Sequence, residues 1–239
     1  MFDKIKEQNI LFLDIETVPQ YPSYQDLDER WKKLWDKKSK NISTEDQISE
    51  QTYNKAGIYA EFGKIICISV GFIKKDGEQR QFRIKSFAND DEKKLLMEFN
   101  SLIIKSFNRD EHVLCAHNGK EFDFPYIARR ILINGLKIPK IINMAGKKPW
   151  QIKHLDTLEL WRFGDYKNWT SLDLLTAVFN IPTPKDDIDG SQVAEIYYKN
   201  NDLERITKYC EKDVIAVAQL FLKYKNENII SESNIQILT

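Results

Sequence analysis

The sequence predicts an α/β protein with a mixed, mostly five-stranded sheet flanked by helices, and three observations lead there. Ile10-Leu11-Phe12-Leu13 is an apolar run of the length a centrally buried strand takes, and it stops abruptly at Asp14-Ile15-Glu16-Thr17. Two runs rich in Ile, Val and Phe, 64–72 and 81–87, flank Lys74-Lys75-Asp76-Gly77, whose Asp-Gly pair is a hairpin signal. Helical and strand patterns then alternate up to a long closing helix. Helix-linked strands become parallel neighbours, whereas the hairpin adds antiparallel ones.

Taken in order, Asn89 or Asp90 is placed to cap a helix whose apolar stripe is Leu95, Leu96, Phe99, Leu102 and Ile103. Val113–Ala116 reads as a buried strand, followed by the polar loop His117–Lys120. Pro125 suits a first helical turn, so Phe124 is the expected cap, 126–133 the helix body, and Asp123 lies just ahead of it; Gly135 ends the helix. A lysine-rich loop (Lys147, Lys148, Lys153) leads to Leu155-Asp156-Thr157, then a helix over 171–179 and further helices from Ser191 and Asn201, the last reaching about Asn226. The whole chain, 1–239, reads as one domain with a surface insertion at about 19–57. Within that insertion Leu27, Trp31, Leu34 and Trp35 follow helical spacing, and packing of the tryptophans is expected in preference to stacking on a single strand.

The 239 residues balance 36 Lys+Arg against 36 Asp+Glu, so no global positive field gathers phosphodiesters, and a nucleic-acid partner must be held by local patches or metal ions. Cys67, Cys115 and Cys210 form no CxxC pair and leave one thiol unpaired under any bridging scheme, as expected in a reducing cytoplasm. The first residues carry no apolar signal core, and no stretch approaches the roughly 18 apolar residues of a membrane helix, so neither export nor membrane insertion is expected. His112, His117 and His154 are too scattered for a metal cluster, and GxGxxG, P-loop and GxSxG sequences are absent.

Acids in unusual places carry the chemistry. Asp14 and Glu16, two apart on a strand, leave the same face of the sheet and could share a cation, although an acidic pair ending a strand is usually a solvated exit. In the last helix Leu203, Ile206, Cys210, Val214, Val217 and Phe221 form an apolar stripe with Asp213 in it or at its edge. An unpaired buried charge costs several kcal/mol, so Asp213 needs a metal, an arginine, a helix terminus or partial exposure. Tyr209 shares its face one turn earlier. The plainer reading of this helix is an acid at the rim beside a core tyrosine.

Three segments together, Leu-Phe-Leu-Asp14-Ile-Glu16-Thr, His117-Asn118-Gly-Lys-Glu-Phe122-Asp123-Phe-Pro-Tyr126 and Tyr209-Cys-Glu-Lys-Asp213-Val, resemble the three exonuclease motifs of the DEDD superfamily. The Tyr-x-x-x-Asp spacing resembles its DEDDy branch; the DEDDh branch would place His at 208, which is Lys. The stretches from Asp156 and from Pro184 further resemble stand-alone exonucleases related to the family B DNA polymerase proofreading domain, over about Ile10 to Tyr224.

The resemblance implies a ribonuclease H-like, DnaQ-like fold in which Asp14, Glu16, Asp123 and Asp213 bind two divalent cations. Their hard oxygen donors favour Mg²⁺ or Mn²⁺. It implies that Asp14 bridges both ions, Glu16 and Asp213 hold the nucleophile side, Asp123 acts through water, and Tyr209 orients the water. Asn118 and Phe122 match positions near the terminal nucleotide, although Phe122 also suits core packing and Asn118 a turn. Lys120 and Lys185 could meet phosphates, and Lys147 and Lys148 with Trp150 could form a basic, stacking loop. The implied activity is 3′-to-5′ hydrolysis of single-stranded ends, with DNA as the expected substrate and nucleoside 5′-monophosphates as products. The alternatives are an exoribonuclease resembling RNase D and a catalytically idle end-binding module. Any proofreading or repair role implies a separate polymerase or repair partner.

Overall fold

The computed structural model describes residues 5–42, 48–77, 79–182 and 188–238. At its centre is β1 (Ile10–Pro19), flanked on one side by β2 (Gly63–Asp76), β3 (Gln79–Ala88) and β6 (Ile235–Leu238), and on the other by β4 (Val113–Ala116) and β5 (Leu155–Asp156). The six-stranded order is β5-β4-β1-β2-β3-β6, and only β2 runs against the rest. The expected mixed sheet is present with one strand more than the sequence predicts. That strand, β6, is a short edge strand at the C-terminal end of the described chain, parallel to β3.

The two faces of the sheet follow from the two-residue period of β1. Leu11, Leu13 and Ile15 enter a core with α2 (Glu92–Ser106) and α3 (Asp123–Ile133), which contribute Leu95, Phe99, Phe124 and Ile127. Ile10 and Phe12 enter the opposite core, beneath α7 (Leu203–Tyr224), with Val214, Val217 and Phe221. Continuing the alternation sends Asp14 and Glu16 to the α7 side. Phe12 fixes this layer, with ring centroids 5.9 Å from Phe82 and 5.7 Å from Phe221. Opposite Phe12 in the register stands Gly71, where a Cβ would lie 2.3 Å from the Phe82 ring, so only glycine lets the ring cross the strand.

Helix starts are set by caps. Asp91, and not Asn89 or Asp90, caps α2, its side chain accepting from Lys94 N at 3.1 Å; Asn89 instead accepts from Asp91 N and holds the turn before it. Helix α3 begins earlier than the sequence predicts, with Phe122 as cap and Asp123 as its first residue. Phe122 N and Phe124 N already donate to Asn118 O and Gly119 O, and Pro125 is tolerated because the first turn needs no helical N–H partners. A short helix that the sequence does not announce, α4 (Thr157–Arg162), follows β5, and α5 (Leu172–Val178) is capped by Ser171. A three-residue α6 (Val193–Glu195) runs into a π turn over Ile196–Asn200.

Residues 20–62 carry an apolar cluster of their own around α1 (Glu29–Ser39). Trp35 is fully buried, its Nε1–H donating to Ser49 O at 2.8 Å and its ring 5.1 Å from Phe62 and 5.5 Å from Tyr53. Trp31 packs edge-on to Phe62 at 5.7 Å, so packing accounts for both tryptophans; Leu34, at helical spacing, instead faces outward. The Tyr126 hydroxyl donates to Gly57 O at 2.7 Å and ties this segment to α3. A buried Glu92–Arg130 pair, which also takes in Ile65 N and Ala60 O, joins α2, α3 and β2. Among the described residues no helix is long and apolar enough to cross a membrane.

Candidate active site

Three elements bring the predicted acids together. Asp14 and Glu16 come from β1, Asp123 from the first turn of α3, and Tyr209 and Asp213 from successive turns of α7. The ligand atoms of Asp14, Glu16 and Cys210 all lie within 4.8 Å of one another. The Asp14 carboxyl is held well above the usual carboxylate range by burial first, and then by the charges of Glu16, Asp213 and Asp123. Burial also raises Glu16, with Asp213 the largest charged contributor. Asp123 is pushed up to about 8, again chiefly by burial; its own amide and that of Ile15 oppose the shift, and Asp156 and Asp213 add to it. The Tyr209 phenol is raised by burial and by the charges of Asp213, Glu16 and Asp14. Each of the five groups enters the electrostatics of others of the set, so the fold brings them near one another, with the ligand atoms of Asp14 and Glu16 nearest.

The loop that delivers Asp123 is organised by a carboxylate that the sequence marks only as the end of a strand. Asp156, 3% exposed, accepts from the amides of Asn118 (2.9 Å), Lys120 (3.0 Å), Leu158 (3.0 Å) and Glu159 (3.3 Å). It therefore caps α4 and staples the 117–122 loop against β5 in one stroke. Asn118 sits at φ +62°, a left-handed conformation asparagine tolerates well. At Gly119 a Cβ would come 2.4 Å from Ala116 Cβ, so a side chain there would push the loop off the strand. His117 is used structurally, between Thr157 Oγ1 (2.9 Å) and Thr170 O (3.0 Å).

The predicted substrate contacts are placed less uniformly. Phe122 is half-buried beside the acids, its ring 5.3 Å from Tyr126, while Asn118 lies in the same loop. Lys120 Nζ is ion-paired with Glu159 at 2.6 Å. Lys185 lies outside the described residues. Lys147, Lys148 and Trp150 form a separate exposed loop, with Lys148 Nζ over the Trp150 ring at 5.1 Å.

The donor set suits a hard divalent cation. Glu16 is only 7% exposed, and among the described residues no hydrogen-bond donor compensates its carboxylate. Buried oxygens of several acids, with no histidine among them, are ligands for Mg²⁺ or Mn²⁺, which would replace the protons that burial otherwise forces onto them.

Residues 58–234 match the model of a family described as predicted 3′-5′ exonucleases related to the exonuclease domain of PolB. The chain belongs to that family. The match contains Asp123, Tyr209 and Asp213 and starts after β1, so Asp14 and Glu16 lie outside it. Among similar proteins are the DNA polymerases of Desulfurococcus sp. (strain Tok), 24% identical over 181 residues (67% of this chain, 22% of that one), and Pyrococcus horikoshii, 27% identical over 124 residues (47% and 10%). The family B DNA polymerase of Pyrobaculum calidifontis superimposes with a TM-score of 0.54 at 15% identity, over 90% of this chain and 24% of that one. The shared fold is the ribonuclease H-like one the motifs imply. The chain thus spans between a tenth and a quarter of the length of these polymerases.

Proposed function

We propose that this chain is a 3′-to-5′ exonuclease that hydrolyses single-stranded ends, with DNA as substrate, and releases nucleoside 5′-monophosphates. The observation that carries the reading is the nearness of Asp14, Glu16, Asp123, Asp213 and Tyr209, each felt in the electrostatics of others of the set. The four carboxylates would hold two divalent cations, Mg²⁺ or Mn²⁺, which when bound activate water for in-line attack and stabilise the leaving 3′ oxygen. The rest of the work falls to the chain's own groups.

Tyr209 remains a phenol at neutral pH, so it orients by hydrogen bonding and does not abstract a proton. Asp213 lies one helical turn away on the same face, and its charge is the largest of those acting on the phenol. Asp123 is held at the first turn of α3, where its own amide and that of Ile15 on β1 favour its charged form. Asp156 keeps the 117–122 loop in the one shape that presents Asp123 and the open side of Phe122. Phe122 then offers a face to the terminal base, Asn118 contacts the end nucleotide, and Lys120 can exchange Glu159 for a phosphate; Lys185 is assigned to phosphate by resemblance.

A single domain carries the activity, with 19–57 as an insertion packed on its side. Three free, buried thiols support a reducing, cytoplasmic setting. Proofreading would draw on a polymerase activity outside these residues. The test is incubation of matched, 5′-labelled DNA and RNA single strands with Mg²⁺ or Mn²⁺, with the products analysed by mass. Shortening of the DNA from its 3′ end with release of nucleoside 5′-monophosphates is expected. Faster shortening of RNA would turn the assignment into an exoribonuclease, and tight end binding without turnover would leave a binding module.

A further inference from the structure

Folding normally hides aromatic rings, yet Phe163, Tyr166 and Trp169, in the loop that follows α4, are 86%, 79% and 60% exposed. They are three of the five exposed aromatic residues among the described ones. Trp161, two positions before Phe163, shows the ordinary outcome: its ring stacks on Tyr224 and meets Phe179 edge-on. The exposed rings nonetheless sit on a built loop. Arg162 Nε donates to Asn168 O at 3.0 Å, its guanidinium lies 6.0 Å from the Trp169 ring, and Lys167 N donates to Asp165 Oδ1 at 3.2 Å. Phe163 ends α4 at φ +45°, a left-handed position that glycine or asparagine usually fills.

This loop is anchored to the segment that delivers Asp123. His117 Nε2 donates to Thr170 O at 3.0 Å, Arg162 faces Glu121 at 3.9 Å, and Lys120 pairs with Glu159 on α4. In the sheet register Asp156, where β5 ends, is level with Ala116, and the preceding Cys115 is level with Phe12. The chain that carries the rings therefore leaves the sheet at the end where β1 carries Asp14, from a strand two places, or about 10 Å, away.

Charge alone does not hold a polyanion on this loop, because Asp165 and Glu121 offset Lys167 and Arg162. Stacking does not need charge, since every base has a π face that an aromatic ring can cover whatever the sequence. A protein interface instead wants a continuous apolar core, which Gly164, Asp165, Lys167 and Asn168 interrupt here. We propose that Phe163, Tyr166 and Trp169 form a stacking platform for the bases of a single strand behind its 3′ terminal nucleotide.

The inference rests on the exonuclease reading for the polarity of the strand, yet its test needs no turnover. A single-stranded DNA dodecamer with a 5′ fluorescein is titrated with the full chain in chelator, and its anisotropy is followed. Phe163→Ala and Tyr166→Ala are each expected to weaken binding about fivefold or more, the lower end of what one stacked base contributes. Phe163→Trp, which keeps a π face, is expected to retain the wild-type affinity, and Phe163→Leu, which keeps only apolar bulk, to behave as the alanine variant does. Both side chains are exposed, so these variants keep the fold. Unchanged affinity in both alanine variants would overturn the proposal and leave the rings to a protein partner; a dodecamer that the wild-type chain does not bind, or full affinity in Phe163→Leu, would also overturn it. Ring-dependent binding by a chain that never shortens the oligonucleotide with Mg²⁺ or Mn²⁺ refutes the exonuclease reading and leaves the platform standing. Shortening by the double alanine variant with the wild-type KM does the reverse.

Discussion

Replacing Asp123 with asparagine separates the electrostatic account of the cleft from its appearance. In the metal-free fold Asp123 binds its proton up to about pH 8, against an ordinary value of 3.8. The folded state therefore holds a proton that the unfolded chain has already released. The stability this proton supports is fully present below pH 4 and is lost as pH climbs through 8. At about 1.4 kcal/mol per pH unit, the loss between pH 4 and pH 7 is about 4 kcal/mol, a large part of the stability of an ordinary domain. The asparagine amide imitates the protonated acid at every pH and removes that slope. In denaturant titrations with chelator present, the wild-type chain should weaken steadily from pH 5 to 8, and Asp123→Asn should weaken more gently by about 1 kcal/mol per unit. Saturating Mg²⁺ or Mn²⁺ should flatten the wild-type profile, since the cation takes over from the proton. Parallel profiles for the two proteins in chelator would refute the reasoning.

Further expectations follow from other contacts. Asp156→Ala strands four amides in the loop and helix cap and should cost about 3 to 5 kcal/mol, with Asp156→Asn intermediate, measured by urea unfolding. Tyr209→Phe should unfold within about 1 kcal/mol of wild type yet lower kcat roughly a hundredfold with little change in KM, measured on a single-stranded oligonucleotide. Trp35→Ala empties a fully buried site and should cost about 3 to 5 kcal/mol by thermal or denaturant melting; a loss under about 1 kcal/mol would show that the 20–62 cluster is not cooperative with the sheet.

Much of this structure is legible in the sequence because periodicity and chemistry agree. The apolar run at 10–13 announces the central strand, and its two-residue period already sends Asp14 and Glu16 to one face. The strand at 113–116 has the ends the sequence predicts, since four consecutive buried residues leave no other structure. Helix starts are less legible: Asp91 competes with two neighbouring caps of similar chemistry, and α3 starts before its proline because a turn from Asn118 feeds it. The edge strand β6 is defined by pairing with β3, a long-range contact that four residues cannot signal locally. Asp156 is visible as a strand-ending acid, but its grip on the 117–122 loop depends on two segments about 40 residues apart. Cys210 is indistinguishable from its apolar neighbours until Asp14 is placed beside it.

Diffraction from crystals soaked in Mn²⁺, collected to detect the metal's anomalous scattering, tests the central claim most directly. The account predicts a peak at coordination distance, about 2.0–2.3 Å, from the Asp14 carboxylate and shared with Glu16 or Asp213. Manganese bound elsewhere, with Asp14 and Glu16 bare, would contradict it.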